Sequence, residues 1–426
     1  GMVFFMCPGM LNALQGIGGG GQIDTDTSSS SSIAIYATFS VGSIFAGTVV
    51  NNIGTKMGLI IGSFGYTLYF ASYLCYNITN NQPFVIAAGA ILGVCAGLLW
   101  ASQGAIMLSI ATPEQKGRFI SLFWILLSLG SVIGSAVELG MANNGEQGHV
   151  SDGTYGAFLA LGASGGIIAA LMYSPSKIIK SDGARVEIPK CPGWIEEFKN
   201  LFRVLVHDYW VLVLIVPFVA SNWYYTWQFN VYNVIFFSLR ARALNNLVYW
   251  IAQIMGSYLI GLLLDYQRLD RRTRSWIALG IVWVLVWGTF AGNYVAQVSY
   301  DQHATAKLDY NSLAYVRLCI LYIFNGLMDS IWQCFTFYII GAMSDDLSTL
   351  AHIAGVYKGV QSAGAAGAFG MNLKRHHANG VSFIAQLAVP WALCAAGAVC
   401  FVPVIAFRIS RAETRVENKH EYTKSA

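Results

Sequence analysis

Three polar side chains at four-residue spacing, Asn325, Asp329 and Gln333, stand inside an otherwise apolar stretch of this 426-residue sequence. At i, i+4 and i+8 they share one helix face, so a carboxylate flanked by two amides forms a single polar stripe. Such a stripe is unfavourable toward lipid and is expected to face water or protein. A cation, Lys358, stands in the next apolar stretch. A rise of about 1.5 Å per residue puts Asp329 roughly 15 to 20 Å from one end of its helix and Lys358 about 9 Å into the following one, so a contact is within reach. The chemistry this points to is an intramembrane ion pair that breaks, or takes up a proton, as a carrier changes state. A permanent structural salt bridge is the plainer alternative, because an unpaired charge there costs at least ~2.5 kcal/mol.

Other polar groups recur in the first, fourth and seventh apolar stretches: Asn12 and Gln15, Ser102 and Gln103, then Ser221, Asn222, Gln228 and Asn230. Trp100, Trp223, Tyr224, Tyr225 and Trp227 add flat surfaces suited to an organic solute or cation. The candidate substrate contacts are therefore Asn12, Trp100, Gln103, Asn222, Tyr225, Gln228, Asn325, Asp329 and Gln333. For the amides, interhelical hydrogen bonds of about 1 kcal/mol are the competing role, and for the aromatics it is packing. Glu138 and Arg317, near helix ends, are expected to reach lipid headgroups or pair locally. Catalytic signatures are missing. The string Gly16-x-Gly18-x-x-Gly21 fits a dinucleotide fingerprint only as a string, because no βαβ unit surrounds it. It runs into Asp24 to Asp26 and five serines, and reads as an outer loop. There is no nucleophile elbow, no P-loop and no His pair with metal-ligand spacing. No catalytic residue, cofactor or metal is expected. Eight scattered cysteines, with no Cys-x-x-Cys, read as buried free thiols.

The elements that must position these groups are membrane helices. Hydrophobic residues make up 55% of the chain and charged ones 11%, against roughly 25% charged in an average soluble domain. Apolar stretches of helical length fall near 2 to 18, 32 to 50, 57 to 76, 84 to 108, 118 to 141, 155 to 173, 209 to 237, 246 to 264, 275 to 297, 313 to 342, 352 to 372 and 381 to 408, which predicts an all-α membrane protein with twelve transmembrane helices. The first is short and begins without an initiator Met or a basic leader, so an upstream part of helix 1 is expected to be missing. Most of the 25 Lys and Arg residues fall in the even-numbered loops and the C-terminal tail, which predicts both termini in the cytoplasm. That bias accounts for the net charge of +4 without a nucleic-acid partner. The sequon Asn77-Ile78-Thr79 then lies in an outer loop and is a candidate glycosylation site. The predicted organisation is a six-helix bundle over 1 to 173, a cytoplasmic linker over 174 to 208, a second six-helix bundle over 209 to 408, and a cytoplasmic tail over 409 to 426. Within the linker, Trp194, Ile195, Phe198, Leu201, Phe202 and Leu205 recur at helical spacing, as in a helix lying on the membrane surface or covering the bundle.

The two halves read as copies. Gly47-Thr-Val-Val-Asn51, followed by Lys56, matches Gly261-Leu-Leu-Leu-Asp265, followed by Arg268. Trp100 corresponds to Asp329 and Trp124 to Lys358, so the second half carries opposite charges where the first carries aromatics. Two parallel six-helix repeats of pseudo-symmetric type are the architecture of the major facilitator superfamily, and the repeated loop resembles its Gly-x-x-x-Asp-basic gating motif, with Asn51 departing from the usual Asp. Pro8 to Leu14 with Gly18 to Gln22, Leu99-Trp100-x-x-Gln103-Gly104, Ser221 to Tyr225 and Tyr357-Lys358-Gly359-x-Gln361 to Gly364 resemble the fungal branch of the Unc-ninety-three-like family of that superfamily. The resemblance covers essentially the whole chain. The resemblance by itself implies little chemistry, and two readings stand. The first is a secondary transporter of a small organic solute or ion, alternating access across the bilayer with a proton on Asp329 as candidate coupling ion, which the charged stripe and the second loop motif favour. The second is a transporter-shaped chaperone or regulatory subunit of other membrane proteins, which Asn51 and the family's animal members favour.

Overall fold

The computed structural model describes residues 1–22, 25–110, 116–142, 150–173, 195, 196, 199, 209–266, 268–303, 307–343, 347–373 and 381–409. Among them run twelve helices: α1 (Met2–Gly16), α2 (Asp26–Ile53), α3 (Thr55–Thr79), α4 (Gln82–Ile110), α5 (Lys116–Ala142), α6 (Asp152–Leu171), α7 (Trp210–Phe236), α8 (Leu239–Leu264), α9 (Arg271–His303), α10 (Leu313–Met343), α11 (Leu347–Leu373) and α12 (Phe383–Ile409). Ten are long and apolar enough to cross a membrane. The exceptions are α1, which is short and broken at Cys7 before Pro8, and α11, which is rich in Gly and Ala and carries Lys358 and Gln361.

Two cores form. One gathers Phe4, Met10, Tyr66, Phe70, Leu99, Phe158 and their neighbours from α1 to α6, and the other gathers Phe218, Trp227, Tyr249, Trp332, Tyr357 and Phe401 from α7 to α12. Helices pack within each set, and across the sets α2 lies against α11 and α5 against α8. Close approach in the first set depends on small residues. A Cβ on Gly93 of α4 would sit 2.2 Å from the Ile35 carbonyl oxygen of α2, and Thr38 donates across the same contact to the Ala90 carbonyl at 2.9 Å. Gly89 and Gly93 of α4 and Gly58 and Gly62 of α3 are close-packing positions of this kind, and Gly97 makes an ordinary van der Waals contact with α2. Gly54 has a different role: nothing lies within 4 Å of its would-be Cβ, and its φ of +87° marks a helix stop between α2 and α3.

The serines after the glycine-rich turn, expected in a loop, instead begin α2, and Ser28, Ser29, Ser31 and Ser32 are all buried. Composition favoured a loop, but hydroxyls that bond back to the helix carbonyl or to a neighbouring Tyr are stable in a helix; Ser31 bonds both the Ser28 carbonyl and Tyr69. Asn77 likewise lies within the last turns of α3 rather than in a loop. Its Oδ1 accepts from Gln22 at 3.0 Å, and its Nδ2, the atom a glycan would modify, donates to Asp152. Of the predicted surface helix in the linker, Ile195, Glu196 and Lys199 are helical, with Lys199 paired to Glu196 at 3.7 Å; the rest, like the tail from 410, lies outside the described residues.

Overpacking a tight helix contact costs about 1–3 kcal/mol or more, so Gly93→Leu is expected to lower the thermal unfolding midpoint of detergent-solubilised protein by that measure. Gly47→Ala, with open space around its Cβ, serves as the neutral control. Asn77→Gln is expected to leave electrophoretic mobility unchanged in a glycosylating host; a loss of apparent mass would show that the acceptor amide is free there.

Candidate functional site

Helix α7 sets the geometry. Residues Thr226–Asn233 widen into a π-helical stretch, and all eight are buried. Tyr224 and Tyr225 immediately precede it. Helix α8 presents Tyr249 and Gln253 four residues apart, hence on one face, and α10 presents Asn325, Asp329 and Gln333 in the same way. All three faces converge on Asp329, which is fully buried.

Its Oδ1 accepts hydrogen bonds from the Tyr224 hydroxyl at 2.6 Å and Gln333 Nε2 at 2.8 Å. Its Oδ2 accepts from Tyr225 at 2.9 Å, Tyr249 at 3.0 Å and Gln253 Nε2 at 2.5 Å. A carboxylate offers about four lone-pair sites, so this one has no acceptor capacity to spare. Such charge-assisted bonds disperse the negative charge over three phenols and two amides. One turn along α10, Asn325 exchanges hydrogen bonds with Asn293 of α9 at 2.9 and 3.1 Å and accepts from Gln228 at 2.9 Å. The single Tyr249 hydroxyl proton is shared between Asp329 Oδ2 and Gln228 Oε1, each 3.0 Å away, and so joins the two layers.

The direct Asp329–Lys358 ion pair does not form in this structure. Ion pairs do occur elsewhere, as between Lys199 and Glu196 and between Arg240 and Asp309. Tyrosines of α7 and α8 reach the carboxylate first. Lys358 Nζ donates to Gln361 Oε1 at 2.9 Å and sits 5.3 Å from the ring centroids of Trp100, Phe337 and Tyr357. Gln361 Nε2 in turn reaches Gln333 Oε1 at 3.3 Å and Asn222 Oδ1 at 2.9 Å. The two charges are therefore linked through two side-chain amides.

Of the sequence candidates, Asn222, Tyr225, Gln228, Asn325, Asp329 and Gln333 gather in this network, and Trp100 joins it across the boundary between the two cores through Lys358. Asn12 bonds Ser131 of α5 at 3.3 Å instead, and Gln103 is half-buried without a hydrogen bond among the described residues. Tyr249, Gln253, Asn293 and Gln361 were not singled out. The four-residue spacings Tyr249–Gln253 and Tyr357–Gln361 carried the same signal that exposed the α10 stripe.

Toward one end of the bundle the turn after α1 is gripped by the second helix set. Gly18 to Gly21 all have positive φ, from 61° to 82°. Arg242, fully buried, donates to the carbonyls of Ile17 at 2.9 Å and of Gly18. Asn233 donates to the Gly16 carbonyl at 3.1 Å, and the Gly19 N–H to Asn230 at 2.8 Å. A Cβ on Gly18 would lie 2.1 Å from the Phe229 carbonyl oxygen, so only glycine fits. Beside it, Glu138 is 2% exposed and accepts from Asn246 at 2.8 Å. It does not reach toward headgroups, because α8 packs over it. Ser29 of α2 accepts from Asn372 at 2.7 Å and Asn230 at 3.3 Å. At that end Asp309, in the segment between α9 and α10, binds Ser238 and Arg240. Partial burial raises its carboxyl, but the Ser238 hydroxyl, the Tyr310 N–H and the Arg240 charge outweigh this and hold it below the usual range.

The opposite end is looser. Gly47 and Gly261 have no atom within 4 Å of a would-be Cβ. Asp265 caps α8 and, like Arg268, is exposed with no ion-pair partner among the described residues. Asn51 is in the last turn of α2, its side chain outside what is described.

Comparisons with known proteins bear on the family and the fold. A family model described as "Ion channel regulatory protein UNC-93" matches residues 20–402. An UNC93-like protein of Schizosaccharomyces pombe is 41% identical over 98% of this chain and 83% of its own length. UNC93-like protein 1 of Arabidopsis thaliana is 37% identical over 92% and 85%. Among solved structures, a partially occluded inward-open conformation of the xylose transporter XylE from E. coli superposes with a TM-score of 0.66 over 95% of this chain and 96% of that one, at 11% identity. The E. coli fucose:proton symporter FucP gives 0.59 over 96% of each chain, at 13% identity. At that identity the likeness is one of fold, that of major facilitator transporters.

A hydrogen bond to a charged group contributes about 1.5–3 kcal/mol. Tyr249→Phe is therefore expected to lower the thermal midpoint of the purified protein measurably, and Asp329→Asn to lower it more, since an amide NH₂ placed among five donors leaves several unmatched. Equal midpoints for wild type and Asp329→Asn would show that the convergence on Asp329 contributes nothing to the fold.

Proposed function

The chain belongs to the UNC-93 family, and on that premise we propose that it is a secondary transporter, moving a small organic solute or ion by alternating access between two six-helix bundles, residues 1–173 and 209–408. The observation that carries this is Asp329: a buried carboxylate away from any direct counter-ion, held by side chains of three helices beside the boundary between the two cores. A carboxylate in the membrane interior is costly, and hydrophobic side chains of similar volume would serve a static scaffold as well or better. Its retention in a hydrogen-bonded network fits a group whose environment changes during a cycle.

Two of the solved neighbours are described as proton symporters, and a proton is the coupling ion we assign to Asp329. To receive it, Asp329 must release one donor. Tyr225 is placed to do so, because its hydroxyl both donates to Asp329 and accepts from Gln333 at 3.0 Å. With both termini cytoplasmic, as the Lys and Arg distribution favours, the gripped glycine turn lies on the outer face and the open loop motifs on the inner face. This is a state closed outward. The exposed, unlatched Asp265 and Arg268 are in keeping with it.

The description of the matched family as ion channel regulatory supports a second reading, a non-transporting regulatory subunit or chaperone for another membrane protein. Proteoliposomes separate the two. Under a proton gradient the wild type is expected to accumulate a solute from a screened mixture, and Asp329→Asn to reduce that uptake by about a hundredfold, as for loss of a group acting in proton transfer. Uptake absent in the wild type, together with a stoichiometric membrane partner on purification, would establish the regulatory role instead. Full uptake by the Asp329→Asn variant would remove the coupling role.

A further inference from the structure

The hydrogen-bond accounting around Lys358 points to the charge of the ligand, and it rests on the transport reading above. Asp329 is saturated by five donors and has 0% exposure, so it offers nothing to a cationic or donor-rich solute in this state. Lys358 is the reverse. It is half-buried, and an ammonium has three N–H donors, of which one is met, by Gln361, among the described residues. The surrounding faces of Trp100, Phe337 and Tyr357 attract its charge but accept no strong hydrogen bond. Asn222 has the same imbalance. Its Oδ1 is bound by Gln361 Nε2 at 2.9 Å, while its half-buried amide nitrogen makes no hydrogen bond among the described residues.

Both groups bind the head of one glutamine, Gln361, which holds them side by side. Trp100, contributed by α4 from the other helix set, lies against Lys358. Together these groups offer a positive charge, an unspent amide NH₂ and an indole surface. Every other ionisable side chain that takes part in the network is either Asp329, already saturated, or a tyrosine already bonded.

We propose that this cluster receives an organic monoanion, its carboxylate or equivalent oxyanion taken by Lys358 Nζ and Asn222 Nδ2 and its apolar part lying on Trp100. An anion there replaces the missing acceptors with a charge-assisted bond. It also completes a contact spanning both helix sets, since Trp100 belongs to one and Lys358, Gln361 and Asn222 to the other.

The test uses full-length protein in a neutral detergent, with the thermal midpoint as the readout of binding. The probes are benzoate and phenylacetate, their charge-altered counterparts benzylamine and benzyl alcohol, D-xylose as a neutral polyol, and vesicles of phosphatidylglycerol as a lipid source of the same anionic chemistry. The carboxylates are expected to raise the midpoint and the amine and alcohol to leave it unchanged. Lys358→Gln is expected to weaken the carboxylate effect about tenfold or more, Lys358→Arg to retain most of it, and Asn222→Ala to weaken it by a smaller factor. Should Lys358→Gln not fold, Asn222→Ala and Lys358→Arg carry the test. The inference is overturned if no carboxylate shifts the midpoint, if amine, alcohol or xylose shift it equally, if only the anionic lipid does, or if Lys358→Gln binds carboxylate as the wild type does. Carboxylate binding without solute uptake would sink the transport reading and leave the anion site standing. Uptake restricted to neutral or cationic solutes would do the opposite.

Discussion

One charge inside a low-dielectric bundle constrains much of what surrounds it. Asp329 can be ionised there only if hydrogen-bond donors replace the water it has lost. The tyrosines of α7, the Tyr249 and Gln253 face of α8, and the glutamine one turn along α10 all answer that need. The π-helical stretch of α7 follows directly after the two tyrosines and turns Gln228, Asn230 and Asn233 inward as well. Gln228 serves the carboxylate layer, while Asn230 and Asn233 serve the glycine turn. A single helix thus supports both the buried charge and the closure of one end.

The two helix sets meet through different materials at different depths. Toward the glycine turn, buried Arg242 and Asn233 bind backbone carbonyls, a contact made of many short hydrogen bonds around residues that have no side chain. Near the middle, the meeting is softer: an ammonium against an indole, and Trp124 against Phe337 at 6.0 Å between centroids. Toward the loop motifs, open space surrounds the glycines. The contacts between the sets thus differ in kind along their length, from charged and amide hydrogen bonds at the glycine turn to aromatic contacts near the middle.

Much of the fold was legible because membrane spans announce themselves by length and apolarity, and ten of the helices do so. The family was legible from local motifs such as Leu99-Trp100-x-x-Gln103 and Tyr357-Lys358-Gly359. The serine run was misread because serine is a loop residue by composition, and only the tertiary partners Tyr69, Asn230 and Asn372 make it helical and buried. At the site, the α10 stripe was visible because its polar residues stand out against an apolar background. Tyr249 escaped because a tyrosine in a membrane helix looks like packing, and its hydroxyl matters only once α8 is known to face α10. The direct ion pair is not made in this structure for a related reason: two charges within reach need not touch when nearer neutral donors satisfy one, while an amide and three aromatic faces hold the other without meeting all its donors.

A π turn holds one residue more than an α turn and can migrate along a helix by exchanging a single backbone hydrogen bond at a time. In α7 it lies just past the paired tyrosines, so its passage through Tyr224 and Tyr225 would rotate that segment by about a residue's arc relative to Asp329. Such a shift would let the phenols release the carboxylate, or take hold of it again, without displacing the rest of the span.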